Sequence, residues 1–585
     1  MVSTTFSRSA NSRNPDRSIS CSLAEPSPWE IDSIRLEARN ITLGSKYNKR
    51  LEDVTFTIEP GQLIAIVGGS GAGKSTLMRV LLGNQAPTSG TIHLNGIDLR
   101  ENHDLFRQHI GYVPQDDIVH PDLTVEESLY CAAKLRLPAG TKLREVVDRT
   151  LDRIQMTDRR RARIINLSGG QRKRVSIGVE LLADPKLFLL DEPTSGLDPG
   201  LDRSMMELLR DVAHKDKRTV AVVTHATDNI SICDRVLFLG RGGRLCFYGT
   251  PRETTMYFGC GSFTEIYLKL ETEEKIGLYQ AIYHGSSYCR DYVTSLLRTP
   301  SKSIPSFVTP KTNLVRQWRI CCHRQLKLTR RDRINLLLSI LVAPVGIGLL
   351  KVAIGDVKPF IAVAGNHVNA SIQVLLVFVC ACLWVGLSGS LQEIVKEKAI
   401  YARERAVNLK VRAYLGAKVF VLGLLAIFQA VLIAHAIATW FVAPLDPLVA
   451  WESGIAIASL LTLVASFSLG LLVSAVVHNS SQANSLLALL LIPQIVFSGA
   501  LFKLEGIAQT LSYFTISRWS IGAFGTIANV NSLAPKLTNL PFPFGVAYSH
   551  SWSNLSLNLA MLLVHMGVYI LMAAWLLSKK DVNRG

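Results

Sequence analysis

The apolar run Leu63–Val67 passes directly into Gly68-Gly69-Ser70-Gly71-Ala72-Gly73-Lys74-Ser75-Thr76 and then into the helical pattern LMRVLL. A buried strand, a glycine-rich loop and a helix in that order admit few folds: the strand must lie inside a largely parallel sheet, with the loop at its carboxyl edge. The stretch satisfies G-x-x-x-x-G-K-[ST]. Its glycines let backbone N–H groups curl around phosphates, and the helix amino terminus adds a partial positive charge. Lys74 can reach the outer phosphates, and the Ser75 hydroxyl can ligate magnesium. Gly68 through Thr76 are therefore the expected nucleotide-binding residues. A second apolar strand, Leu187–Leu190, ends in Asp191 and Glu192. A strand end fixes both carboxylates, so that one of them can hold magnesium, directly or through water, while its neighbour orients or deprotonates an attacking water.

Between the two strands lies Leu167-Ser168-Gly169-Gly170-Gln171. With the glycine loop upstream and the acidic strand end downstream, this stretch resembles the signature of ABC transporter ATPase domains. The resemblance implies ATP and Mg2+ as cofactors. It also implies that residues 167–171 close over ATP bound to the loop of a second chain, since one loop and one signature are present here. Gln115, in GYVPQDD, matches the glutamine that reads magnesium and the attacking water and sits where ATPase meets membrane part. His225, after the strand Val220–Thr224, matches the histidine that contacts the outermost phosphate. Ser195-Gly196-Leu197-Asp198 match the loop that crosses the dimer, and Tyr47 lies where the family stacks a ring on adenine. The implied catalytic set is Glu192, His225 and Gln115, and the implied magnesium set is Ser75, Gln115 and Asp191.

At 585 residues the chain exceeds one domain. Lys and Arg total 63 against 46 Asp and Glu, a net charge of +17, with mean hydropathy +0.25. That combination suits a membrane protein with basic cytosolic surfaces, and no aromatic-interleaved basic patch or zinc spacing supports nucleic-acid recognition. Residues 1–33 read as a disordered Ser/Arg/Asn-rich lead, with an organellar transit peptide as the alternative. Residues 34–260 read as the α/β ATPase, with a helical subdomain over about 116–185 carrying the signature. The basic run Arg159–Arg163 reads as a solvated face or as a site for lipid phosphates. Residues 261–311 read as a linker and 312–333 as a basic amphipathic helix on the inner membrane face, with Leu314, Val315, Trp318, Cys322 and Leu326 as its apolar stripe.

Residues 334–585 read as an all-α domain of six spans, about 334–352, 371–391, 417–441, 454–477, 483–502 and 555–577. The loop after the second span carries Lys396, Lys398, Arg403, Arg405, Lys410 and Arg412, whereas Pro444–Ser453 carries no Lys or Arg. By the positive-inside rule both termini and the ATPase are cytosolic, in a plasma or inner membrane or an organellar one. ATPase first and six spans second resembles the G or White-type half-transporters with an ABC-2 type permease, as do RKRVSIGVELL and the acidic-basic stretch Glu397–Tyr414, expected as a coupling helix near Gln115. VTHA around His225, and an outer loop lacking cysteine before the last span, depart from that subfamily. The span centres hold no Asp, Glu, Lys or Arg, His435 and His565 being the ionisable exceptions, which favours a lipid, sterol or drug-like substrate over an ion. The expected partner is a second copy or a related half-transporter. A membrane-anchored ATPase that gates or signals without transporting is the alternative reading.

Overall fold

The computed structural model describes residues 31–45, 48–299, 313–361, 368–501, 504–533 and 548–582. The expected lead up to residue 30, and Tyr47, lie outside them. The first half is built on one sheet: β1 (Leu36–Ser45), β2 (Asn48–Ile58), β3 (Leu63–Gly68), β4 (Ser89–Leu94), β5 (Ile97–Asp98), β6 (Ile110–Val113), β7 (Leu187–Asp191), β8 (Thr219–Val223), β9 (Arg235–Gly240) and β10 (Arg244–Gly249). Its order is β5-β4-β1-β2-β10-β9-β3-β8-β7-β6. Strands β9, β3, β8, β7 and β6 run parallel, while β5, β4, β1 and β2 form an antiparallel wing. Every residue of β3 and β8 is buried, which explains their unbroken apolar sequences.

Helix α1 (Lys74–Leu81) follows β3 through the glycine loop, and the short α2 (His103–Phe106) precedes β6. The segment between β6 and β7 is helical, as its sequence suggests: α3 (Val125–Arg136), α4 (Leu143–Arg153) and α5 (Gly169–Leu181). Thr124 with Glu127 caps α3, and Ser168 with Gln171 caps α5, each pair satisfying two otherwise unpaired N–H groups. Helix α6 (Pro199–Lys215) starts at the Asp198 cap.

The stretch expected as a linker, 261–311, is folded over its first part. After α7 (Pro251–Phe258) it holds α8 (Phe263–Lys269), α9 (Glu273–His284) and α10 (Ser287–Tyr292); α7, α9 and α10 pack on β10, and α8 sets Tyr267 against Phe238 of β9. Their aromatic residues close the sheet: Tyr283 is fully buried with its ring 5.8 Å from Phe247, and Phe258 lies 4.9 Å from Tyr279. The Pro/Ser/Lys tail, 300–312, lies outside the described residues.

Helix α11 (Leu314–Arg331) is where expected, but its faces are used differently. The face turned inward carries Gln317, Ile320, Cys321, Arg324 and Gln325, whereas Leu314 and Val315 are exposed. Beyond it, α12 (Arg333–Ile354), α13 (Val368–Ser390), α14 (Lys398–Ala406), α15 (Val411–Trp440), α16 (Trp451–Val476), α17 (Ser480–Val496), α18 (Ile507–Ser512), α19 (Ile516–Ile527) and α20 (Trp552–Val582) complete the fold. Among the described residues five helices are long and apolar enough to cross a membrane, not six. The expected fifth span, 483–502, is α17, whose 17 residues reach only about 26 Å against ~30 Å of hydrocarbon. Gly499, at φ 77°, follows it and redirects the chain into two short helices. One of these, α19, is almost wholly buried. The two histidines differ: His435 is exposed, 3.4 Å from Glu452, while His565 is buried with Nδ1 2.8 Å from the Met561 carbonyl.

Candidate nucleotide site

At the carboxyl edge of β3 the glycine loop rims a cleft of about 770 Å³, lined by Ser70 to Thr76, Glu192 and His225 on one side. Asn48, Lys49, Arg50, Glu52, Arg241, Gly242, Arg244 and Glu273 line the other. The cleft exists because β3 is too apolar to end anywhere but in the core, so the loop alone can face solvent. The Lys74 ammonium donates to the carbonyls of Gly68, 2.7 Å, and Gly69, 3.0 Å. Burial lowers its pKa, and the carboxylates Glu192 and Asp191 oppose that shift. The group thus lacks full compensation, which an incoming phosphate would supply.

Asp191 and Glu192 close β7 as expected. Burial raises the Asp191 pKa, its neighbour Glu192 adds to the effect, and a hydrogen bond from Ser75 together with Lys74 opposes it. A hydroxyl and a carboxylate side by side form an all-oxygen pair that suits a hard cation such as magnesium. Glu192 stands in a left-handed conformation, φ 48°, its N–H bonded to the Val223 carbonyl at 2.9 Å. Its carboxylate is gripped from two sides: Gln115 Nε2 donates at 3.1 Å, and His225 Nε2 lies 2.9 Å away. Three residues just beyond the ends of β6, β7 and β8, far apart in sequence, therefore meet at one carboxylate. Tyr47 is outside the described residues, although the adjacent Asn48 lines the cleft.

Among the described residues the signature, Leu167–Gln171, does not line this cleft. Ser168 caps α5, a side chain built on Gly169 would meet nothing within 4 Å, and one built on Gly170 would lie 3.2 Å from Leu197. The signature thus faces outward on one side and packs on the Ser195–Asp198 loop on the other. That loop turns at Gly196, φ 75°, and Asp198 accepts from the N–H groups of Gly200 and Leu201, both at 3.1 Å.

A family model described as ABC transporter matches residues 51–195, and one described as ABC-2 type transporter matches residues 316–527. The chain joins an ABC transporter domain to an ABC-2 type transporter domain. An ABC transporter ATP-binding/permease protein of Mycobacterium tuberculosis is 34% identical over 560 residues, 92% of this chain and 62% of that one. ABC transporter G family member 8 of Arabidopsis thaliana is 43% identical over 195 residues, 33% of each chain. A mouse protein named phospholipid-transporting ATPase ABCA3 is 29% identical over 302 residues, 51% of this chain and 17% of that one. The chain thus spans about three fifths of the first relative's length and a third of the second's.

An ABC ATPase followed by an ABC-2 type membrane domain has the layout of the G-type half-transporters, and this one is an integral membrane protein. The two domains meet beside Gln115. The Arg403 guanidinium of α14 donates to the Ile118 carbonyl, and Arg107 donates to the carbonyls of Arg405 and Ala406. His120 Nδ1 lies 3.8 Å from Glu397, and Arg331 pairs with Glu127 at 2.6 Å. Helix α14 therefore occupies the position expected for a coupling helix. Sequence reading did not single out His120 or the Asn48–Arg50 wall, which belong to no motif, and it met Lys173 only inside RKRVSIGVELL, with no role of its own, because its partners lie far away along the chain.

Proposed function

We propose that the chain is one half of an ATP-driven exporter of a hydrophobic or amphipathic substrate, working as a dimer. The observation that carries this reading is Glu192 held between Gln115 and His225 at the phosphate-loop cleft, with the membrane domain bound to the segment that follows Gln115. In this reading the cleft takes ATP, Lys74 and the loop amides bind its phosphates, and the signature of a second chain closes over it. Glu192 then acts as base toward the attacking water, Gln115 orients that water, and His225 contacts the outermost phosphate. Ser75, Asp191 and Gln115 would hold magnesium, which neutralises charge on the outer phosphates. Closure of two ATPase domains pulls α14 through the Gln115–His120 segment, and hydrolysis releases it.

A lipid-like substrate is supported by the span centres, which lack Asp, Glu, Lys and Arg, and by the name of the mouse relative. Of the aromatic residues on the membrane helices, Trp384 and Phe428 are about half exposed and available to a substrate. Phe378 is buried against Phe360 and Phe441 and is not.

The test uses the full chain in lipid nanodiscs, measuring ATP hydrolysis across sterols, phospholipids, glycolipids and hydrophobic drugs. One class should stimulate the wild type, while Glu192→Gln should bind ATP normally and lose at least about a hundredfold in kcat. A wild type indifferent to every compound would count against export of such substrates, and an active Glu192→Gln would remove Glu192 from the mechanism.

A further inference from the structure

Lys173 follows the signature by two residues, inside RKRVSIGVELL, and has no role of its own so far, yet it is 6% exposed. Its ammonium is spent entirely on the segment around Gln115. It donates to the Gln115 carbonyl at 2.5 Å and to the Pro114 carbonyl at 3.3 Å, and lies 3.4 Å from the Asp117 carboxylate. The neighbouring arginine, Arg174, points elsewhere, bonding Gln155 at 2.7 Å and Ser204 at 2.9 Å. Lys173 is one helical turn into α5, whose first residues carry the outward-facing signature. A helix is stiff over one turn, so displacement of the signature displaces Lys173. A buried ammonium with three oxygen partners carries those oxygens with it, since leaving a buried cation unpaired is costly.

We propose that Lys173 is a positioning residue for hydrolysis: it makes the placement of Gln115 against Glu192 depend on the position of the signature helix. ATP of the partner chain, seated on this chain's signature, thereby sets the glutamine of this chain's own site. The same segment is held from its other side by α14 through Ile118 and His120. Lys173 and the coupling helix thus grip one short piece of chain from opposite ends. The inference rests on the reading of Gln115 as the residue that orients the attacking water.

A double-mutant cycle in the nanodisc ATPase assay tests it, with Lys173→Met, Gln115→Ala and the pair. Lys173→Met alone should lower kcat about tenfold, with KM for ATP and binding of a fluorescent ATP analogue within about twofold of wild type, because misplacement of a reacting-centre group costs turnover rather than affinity. In the Gln115→Ala background, where the glutamine is already gone, the same substitution should change kcat less than about twofold. Lys173→Arg, which keeps the charge, should recover most of the lost rate. The proposal is overturned if Lys173→Met turns over like wild type, or if it costs the same factor with and without Gln115. Should Lys173→Met not fold, Lys173→Gln, which keeps an N–H donor, takes its place in the cycle. ATP-dependent dimerisation of Glu192→Gln, followed by mass photometry, is measured in parallel. Its absence would sink the dimer and with it the signal from a partner chain, whereas the cycle alone reports on the tie between Lys173 and Gln115.

Discussion

At the scale of single residues, the glycine loop shows how tightly backbone geometry restricts the cleft. Gly73 has φ 87°, and a side chain there would sit 2.4 Å from the Arg50 carbonyl. An alanine must therefore either strain the backbone or push away the wall that Arg50 contributes to the cleft. Such strain costs about 1–3 kcal/mol, so Gly73→Ala should weaken ATP-analogue binding roughly ten- to hundredfold. Fluorescence titration of the purified variant measures this, and wild-type affinity would show that the loop relaxes without cost. The loop and the acidic strand end were legible in the sequence itself, because each is a run of adjacent residues whose chemistry is local, whereas the signature was legible through resemblance. The meeting of Gln115, Glu192 and His225 was legible only through resemblance to a family. Lys173 was not legible at all, since a lysine contacting carbonyls 58 and 59 residues away leaves no local mark.

At the scale of elements, α11 shows where periodicity misleads. Its apolar stripe is used only in part, Trp318 and Cys322 packing on the core while Leu314 and Val315 stay exposed, and the face it buries most deeply mixes Ile320 and Cys321 with the polar Gln317, Arg324 and Gln325. Arg324 is 4% exposed and forks onto both oxygens of Glu404 on α14, one at 2.9 Å. Gln325 bonds Glu393 at 2.7 Å and Lys418 at 2.8 Å. Hydrophobic patterning reports which face avoids water, and a charged face buried against a distant charged helix produces no such pattern. The same blindness made residues 261–311 look like a linker, because the Pro/Ser tail dominates the composition while the packed tyrosines are spaced irregularly. The Arg324–Glu404 pair gives a sharp expectation. Arg324→Leu strands a buried carboxylate and should destabilise the fold by about 3–5 kcal/mol. Arg324→Leu combined with Glu404→Leu should recover most of that, since two apolar groups need no partner. Thermal unfolding of the detergent-solubilised protein decides it, and a double variant no better than the single would show that the pair contributes more than mutual compensation.

At the scale of the whole molecule, the joint between ATPase and membrane domain contains a titratable group that links acidity to assembly. His120 is 6% exposed, and its Nε2 has no hydrogen-bond partner among the described residues. Around it stand Glu397, Glu404, Arg324 and Lys418. Burial, with the two cations adding to it and the two carboxylates opposing, lowers its pKa to about 4. An unfolded chain titrates the same imidazole near 6.5, so between about 6.5 and 4 the unfolded state binds a proton that the folded state refuses. Stability must then fall as pH drops through that window, by at most about 1.4 kcal/mol per pH unit from this residue. His120→Gln removes the titration while keeping a polar side chain. Melting temperatures measured from pH 7 to pH 5 should therefore decline more steeply in wild type than in the variant. His93 and His109, whose pKa values burial also lowers, are present in both proteins and cancel in the comparison. Equal slopes would mean that the joint opens enough for His120 to take its proton without loss. Because α14 and the segment after Gln115 meet at this histidine, the slope also reads how firmly the ATPase grips the membrane domain.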